Sequence, residues 1–504
     1  MKIDLGSGKN PFNPDDGWEH LDIDSKQLHV EYHSDAKNTS FESGSVDKLR
    51  ASHILEHFSY ADGEKALREW YRILKPEGML EIIVPSVSWV MENYVKEGKI
   101  AFNALYGAQN TQYDVHKSGY TKEMIQETLR KAGWDFFIIE EAGGMIYAYC
   151  TKEAFEKVKP DTLKVAFVVR KDCIDRSFGI LVENYKNGLL AAGVDTIVVP
   201  LEEMSFSGLR DRIVICRDTP WGMCNVLPGW ANIMWIECLG DGIDADIHRV
   251  RRYAKFYDLA AVNNSFMMET AARLTGLPVF VMPGCYDEEK FTYRKKDLTN
   301  VFCFLAAGTQ IRLGGWLVLE AFKIAFPKNV SDVRLDIIVY PGTEELVDKY
   351  KEDERIHFVK EYNYNDMPDV YAAANVFVRT SLIDGMPKSV LEAMAVGTPC
   401  IVTKGHSFLE FFNEDVGWMI DTMGRLEARD GFLGTWHVPG HTLIADAMRT
   451  AYTHRKSTAE LGERASEYVK KFSSKVIARR IVPLFNDMLC DIDSMKKRFY
   501  LDGE

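Results

Sequence analysis

Asp384 and Glu392 stand eight positions apart on either side of a Gly-Met-Pro turn (Gly385, Met386, Pro387), followed by the small-residue run SVLEAMAVGTP. Proline suits the first turn of a helix, where the leading amides have no partner inside the helix. Two carboxylates straddling such a terminus can hold a sugar and a ribose. The free amides and the positive end of the helix dipole favour the diphosphate between them. Lys388 adds a cation at the same place.

A second constellation lies at the other end of the chain. Residues 4–11 (DLGSGKNP) follow a strand-like stretch, and Gly6 and Gly8 let the backbone pass close to a ligand where a Cβ would clash. At the end of the next apolar run sits Asp22, placed to accept hydrogen bonds from ribose hydroxyls as acids do in nucleoside-binding α/β folds. His53 and His57 leave a further strand, and His116 precedes a helical pattern. Imidazoles titrate near working pH, so His53 and His116 are candidates to deprotonate a hydroxyl, while His57 with Glu56 can simply tie the loop down.

The elements that must position these residues come in three blocks of short apolar strands alternating with helical patterns, the signature of mostly parallel α/β sheets. The first block predicts strands at 2–6, 18–23, 46–52 and 78–85, a helix at 63–74, and a closing strand near 145–153. The charged stretch 152–164 separates it from a second block, with strands at 164–170, 195–200, 212–217, 232–238 and 258–263 and a helix at 179–193. A polar link at 293–300 leads to the third, with strands at 301–308, 334–340, 375–380 and 399–403, a helix at 366–374, and long helices from about 442. The 504 residues exceed the roughly 250–300 that one hydrophobic core supports, so several domains are expected.

Composition narrows the function classes. A net charge of −13 leaves no basic platform, which argues against a nucleic-acid backbone as the main partner without excluding a local groove. The nine cysteines form no C-x-x-C pair, so no zinc or redox site is expected from them. No run approaches the ~18 apolar residues of a membrane span, and the opening MKIDLGSGKN lacks the apolar core of a signal peptide. The expectation is a cytoplasmic protein without a transmembrane segment.

The order DLGSG, HLDID, SHILEHF and LKPEGMLEIIVP over residues 1–150 resembles class I S-adenosylmethionine-dependent methyltransferases. The resemblance implies S-adenosylmethionine as cofactor. Asp4, Gly6 and Gly8 would lie under the methionine moiety, Asp22 on the ribose and Asp35 near the adenine amine.

From about residue 162 to 485 the chain resembles family-four retaining glycosyltransferases of the GT-B fold. Their acid pair keeps the spacing seen here, with Asp384 in the first position and Glu392 in the second. PGCYDEEKF at 283–291 and GTQIRLGG at 308–315 resemble the interdomain turn and the phosphate loop. The resemblance implies a nucleotide-diphosphate sugar as donor, held by Gly308, Arg312, Asp384, Gly385, Met386, Pro387, Lys388 and Glu392, with Glu237 as an acceptor contact. It also implies displacement on the sugar's front face, in which the leaving phosphate takes the acceptor's proton and no metal is expected. The family's loop arginine and lysine are replaced here by Thr309 and Leu313.

The fold expected is therefore α/β with three Rossmann-like domains. A methyltransferase occupies 1–155, the GT-B halves occupy 162–292 (acceptor side) and 298–470 (donor side), and C-terminal helices occupy 471–504. The function expected is bifunctional: sugar transfer to a glycan or glycoconjugate, and methylation of the same or a related product. Two alternatives stay open, a single active domain beside a degenerate binding module, and phage-type modification of nucleic acid.

Overall fold

The computed structural model describes residues 1–7, 17–24, 26, 30–97, 99–107, 109, 113–142, 144–152, 158–170, 173, 177–200, 209–217, 229–236, 238–239, 242–243, 250–251, 254, 257–298, 300–360, 362–405, 407–427 and 435–499. The chain divides into two compact units, one of residues 1–158 with 205–211 and 221–228, the other of the remaining residues. Among the described residues no helix is long and apolar enough to cross a membrane.

The first unit is built on one seven-stranded sheet. Its strands are β1 (Lys2–Leu5), β2 (Glu19–Asp22), β3 (Tyr32–His33), β4 (Val46–Ser52), β5 (Leu74–Pro85), β6 (Phe136–Ala142) and β7 (Met145–Thr151), in the order β3-β2-β1-β4-β5-β7-β6. The pairs from β3 to β5 are parallel, and β7 runs antiparallel to both β5 and β6. The chain leaves β1 toward one edge and returns beside it as β4, so the β1/β4 crevice is the topological switch point, where ligands of open α/β sheets bind. Helix Tyr60–Ile73 covers one face through Ala66, Leu67, Trp70 and Ile73, all buried, and Ser59 caps its N-terminus by accepting from the Asp62 amide. Trp70 and Trp134 are buried and donate their indole N–H to the Ala36 and Leu67 carbonyls, so neither polar edge is stranded.

The second unit holds two six-stranded parallel sheets. In the first, β8 (Lys164–Val169), β9 (Asp195–Pro200), β10 (Ile213–Arg217), β11 (Ala231–Ile236), β14 (Leu259–Val262) and β15 (Val279–Val281) take the order β15-β14-β11-β10-β8-β9. A two-stranded ribbon, β12 (Cys238–Leu239) with β13 (Gly242–Ile243), lies between β11 and β14 in sequence. In the second sheet, β16 (Phe302–Ala306), β17 (Val333–Ile338), β18 (Ile356–Val359), β19 (Val376–Arg379), β20 (Cys400–Thr403) and β21 (Gly417–Ile420) take the order β18-β17-β16-β19-β20-β21. Its switch point is the β16/β19 crevice. A hairpin of β22 (Thr422–Glu427) and β23 (Thr435–Pro439) follows.

One apolar core runs through this unit from the first sheet to the second. It joins Val165, Phe167 and Trp235 to Phe377, Leu391 and Val402, and includes Ile477, Ile481 and Phe485 of the Ser474–Cys490 helix. That helix packs against Ser177–Ala191, and the approach is close enough that a Cβ on Gly188 would stand 2.3 Å from the Ser474 carbonyl oxygen. The Ser474–Cys490 helix thus packs on the first half while its apolar face belongs to the core that both halves share.

Candidate active sites

In the first unit, Asp4 lies near the end of β1 and Asp22 ends the neighbouring parallel strand β2, both buried. The Asp4 carboxylate lies 3.5 Å from Nδ1 of His20, and Oδ1 of Asp22 accepts the Asp24 amide at 2.8 Å. Gly6 turns the chain out of β1 at φ 69°, donates to the Leu21 carbonyl at 2.7 Å, and would bring a Cβ to 2.6 Å from Ile54. Glycine is therefore required there both for its φ and for the close approach. Asp35 is half exposed on the loop after β3, accepting the Lys37 amide at 2.9 Å with the Lys37 ammonium 3.6 Å away. Gly8 lies outside the described residues.

The histidines converge on one acid. His53 leaves β4 with φ 55°, a left-handed conformation uncommon for a residue with a Cβ, and donates its amide to the Ile83 carbonyl. Its Nδ1 lies 3.2 Å from Oε1 of Glu56, and Nε2 of His116 lies 4.0 Å from the same oxygen. The Glu56 carbonyl accepts the amides of Lys117 and Ser118, which brings the segment carrying His116 back across 60 residues of sequence. The bond to Glu56 raises His53 above the usual imidazole range, against the effect of burial. Burial lowers His116, partly opposed by Glu56. The sequence reading treats Glu56 only as a loop tie; the structure makes it the hub.

In the second unit, the loop after β16 and the loop after β19 meet at the switch point. Leu382 donates its amide to the Arg312 carbonyl at 2.8 Å, and Gly314, at φ 70°, passes so near Thr380 that a Cβ would be 2.2 Å from its carbonyl oxygen. Gly308 (φ 148°) presses on the Tyr340 ring in the same way. Thr309 and Leu313 are almost fully buried. The Thr309 hydroxyl accepts the Tyr340 amide at 2.9 Å and bonds Thr343 at 2.7 Å, so it is engaged within the loop's own packing.

Asp384 is 3% exposed and Glu392 2%. Oδ2 of Asp384 accepts from Nε and Nη2 of Arg379 at 3.0 and 2.7 Å and from the Ser381 hydroxyl at 3.0 Å. Glu392 pairs with Lys388 one helical turn away and accepts from the hydroxyls of Tyr364 at 2.9 Å and Tyr371 at 3.5 Å. Lys388 lies over the Tyr364 ring at 4.4 Å, and Lys290 does so at 3.8 Å. Pro387 precedes helix Lys388–Ala395, which has no side-chain cap. The Gly385 carbonyl accepts from Asn264 at 3.0 Å, and Met386 fills the space over Gly284, both residues of the first half.

A cavity of about 730 Å³ opens beside Tyr364 and Lys290, lined across from them by Glu183, Asn184 and Asn187. Sequence reasoning missed these residues, although Lys290 stands within the quoted turn 283–291. Glu237, the acceptor contact expected from sequence, lies outside the described residues.

Comparison with known proteins finds a family match in each unit. The family model described as "Methyltransferase domain" matches residues 18–82, and that described as "Glycosyl transferases group 1" matches residues 287–467. An Escherichia coli protein, UDP-Gal:alpha-D-GlcNAc-diphosphoundecaprenol alpha-1,3-galactosyltransferase, is 44% identical over 164 residues, 29% of this chain and 42% of that protein. The chain thus spans about two fifths of that relative's length. A solved glycosyltransferase from Rickettsia africae ESF-5, 12% identical, matches with a TM-score of 0.50 over 66% of this chain and 100% of its own, a likeness of fold. The polypeptide carries an N-terminal methyltransferase domain and a C-terminal group 1 glycosyltransferase domain with the Rossmann-like α/β sheets of both.

Proposed function

We propose that the chain is a bifunctional transferase that moves a sugar from a nucleotide-diphosphate donor to a glycan or glycoconjugate and methylates the same or a related product with S-adenosylmethionine. The observation that carries the reading is that each domain sets its acids at or next to a switch point: Asp4 on β1 and Asp22 at the end of the adjacent β2, Asp384 and Glu392 after β19. In the first, Asp22 holds the ribose, Asp35 the adenine, and Gly6 admits the methionine moiety. His53 and His116, joined through Glu56, stand where an acceptor hydroxyl would lose its proton.

In the second, the loop at Gly308 and Arg312 and the start of helix Lys388–Ala395 take the diphosphate, with retention of configuration at the sugar. The Escherichia coli relative acts on a uridine-diphosphate sugar and a lipid-linked acceptor by its name, which supports a uridine nucleotide and a glycoconjugate here. Tethering the two sites raises the effective concentration of the second for the product of the first.

A second reading also has an observation behind it. The Arg379 fork already holds Asp384, Lys388 already holds Glu392, and Thr309 and Leu313 replace two phosphate-binding cations. By that reading the donor site has become a binding module. Titration calorimetry of the full chain with S-adenosylmethionine and with uridine diphosphate decides between them. Both ligands are expected to bind, with Asp22→Ala weakening the first and Glu392→Gln the second by tenfold or more. Binding of S-adenosylmethionine alone selects the degenerate reading, and S-adenosylmethionine affinity unchanged by Asp22→Ala removes the ribose assignment.

A further inference from the structure

Glu56, His57 and His116 each offer a ligand atom within 4.8 Å of the others. Two further observations separate this group from an ordinary buried cluster. First, Nδ1 of His57 lies 3.2 Å from the Val115 carbonyl and Nδ1 of His116 lies 3.1 Å from the Ala104 carbonyl. A carbonyl only accepts, so each Nδ1 carries the proton and each Nε2 is left with a lone pair. This is the arrangement by which metal-binding histidines are oriented and their tautomer fixed. Second, the Glu56 carboxylate is 2% exposed, and its Oε2 has no hydrogen-bond partner among the described residues. An ionised carboxylate buried with an unsatisfied oxygen is costly unless a cation or donor joins it.

We propose that Glu56, His57 and His116 form a binding site for a divalent first-row transition-metal cation in the methyltransferase domain. Two imidazoles and one carboxylate suit manganese, cobalt, nickel or zinc ions better than magnesium, which prefers oxygen. The separation of up to 4.8 Å closes by roughly 1–2 Å on coordination at ~2.0–2.2 Å. The side chains of His57 and His116 stack edge to face at 4.8 Å between centroids. With three protein ligands the cation keeps open positions. His53, bonded to Glu56 through Nδ1, is 47% exposed.

The role of the site rests on the methyl-transfer reading. An acceptor hydroxyl bound at an open position becomes more acidic and loses its proton to water on the exposed side. The oxygen's lone pair then forms a bond to the methyl carbon of the sulfonium cofactor while the carbon–sulfur bond breaks, its electron pair returning to sulfur as the neutral thioether. With the cation bound, His116, proposed above as a base, acts instead as a ligand that positions the acceptor.

Cobalt(II) titrated into the chelator-treated, dialysed full chain tests the site. Stoichiometric binding is expected, weakened at least tenfold in both Glu56→Gln and His116→Ala, with circular dichroism reporting that each remains folded. No stoichiometric binding by the folded wild type overturns the proposal, whatever the variants do, and so does affinity unchanged in both. S-adenosylmethionine titrated into the same samples separates the two claims: cofactor binding without cobalt binding sinks the cation site alone. Cobalt binding without cofactor binding supports the site and sinks its role in methyl transfer.

Discussion

Asp384 occupies the position expected to grip the donor sugar, yet one of its oxygens already receives three hydrogen bonds, two of them from the planar fork of Arg379. Such bidentate charge-assisted bonds are the strong class, and removing one partner of a buried pair leaves an uncompensated charge. Asp384→Asn is therefore expected to destabilise the second unit by roughly 3–5 kcal/mol, with Arg379→Met costing a similar amount and the double variant costing much less than their sum. Urea denaturation of the four proteins measures the cycle, and strictly additive losses would show the pair to be incidental. The same burial alters the meaning of Thr309 and Leu313. An arginine or lysine placed there would have to enter the packed loop before it could reach a phosphate.

At the scale of elements, Lys296 shows how the link between the two sheets of the second unit is fastened. Its ammonium, with three N–H donors, lies within hydrogen-bond distance of the carbonyls of Tyr371 and Ala372 at 2.9 Å and of Ala374 at 2.6 Å, at the end of helix Met367–Ala373, and of the Thr398 hydroxyl. The carbonyl end of a helix favours a cation, but burial dominates and pushes Lys296 down to about 7 from its ordinary 10.5. The unfolded chain keeps this proton up to its ordinary value, and the folded chain releases it near neutrality. Between those limits the unfolded state binds more protons, so stability rises with pH, at a slope of up to about 1.4 kcal/mol per unit from this group. Urea midpoints at pH 7 and pH 9 should show wild type gaining on Lys296→Met as pH rises; parallel behaviour would rule the contribution out.

Elements were also where the sequence was most legible. The buried runs 164–170, 301–308 and 399–403 are strands within two residues of expectation, because continuous apolar runs bounded by turns have few other solutions. The strand expected at 78–85 begins at Leu74 instead: a register shift between Val46/Leu74 and Lys48/Met79 accommodates the Pro76 region, which reads as a break in sequence. β3 has only two residues, and β22 (TMGRLE) and β23 (TWHVP) carry no continuous apolar run. Single site residues such as Asp4 and Gly6 are visible from local spacing. The hub at Glu56 is not, since it depends on His116, whose approach is set by tertiary hydrogen bonds.

Among the described residues of the second unit, one apolar core reaches both sheets while another lies on the second sheet alone, and the closure of the shared one depends on the last helices. The amide and hydroxyl of Ser474 both bond Glu288, at 3.0 and 2.8 Å, and Ser473 pairs with Tyr286, so the chain after the second sheet is fastened to the turn that ends the first. From there Ile477, Ala478, Ile481, Phe485 and Met488 face inward. Phe485 is fully buried in the cluster that contains both Phe167 of β8 and Phe377 of β19. Truncating a buried phenylalanine to alanine costs ~3–5 kcal/mol through lost transfer energy and the cavity left behind. If the core is shared, Phe485→Ala should lower the protection of both sheets by the same free energy, because neither can open fully without exposing the other. Hydrogen exchange read by mass spectrometry on peptides covering 164–169, 231–236, 302–306 and 400–403 makes the comparison. Equal loss at all four is the expected result, whereas loss confined to the first two would mean that the halves unfold separately and that the terminal helices belong to the first alone.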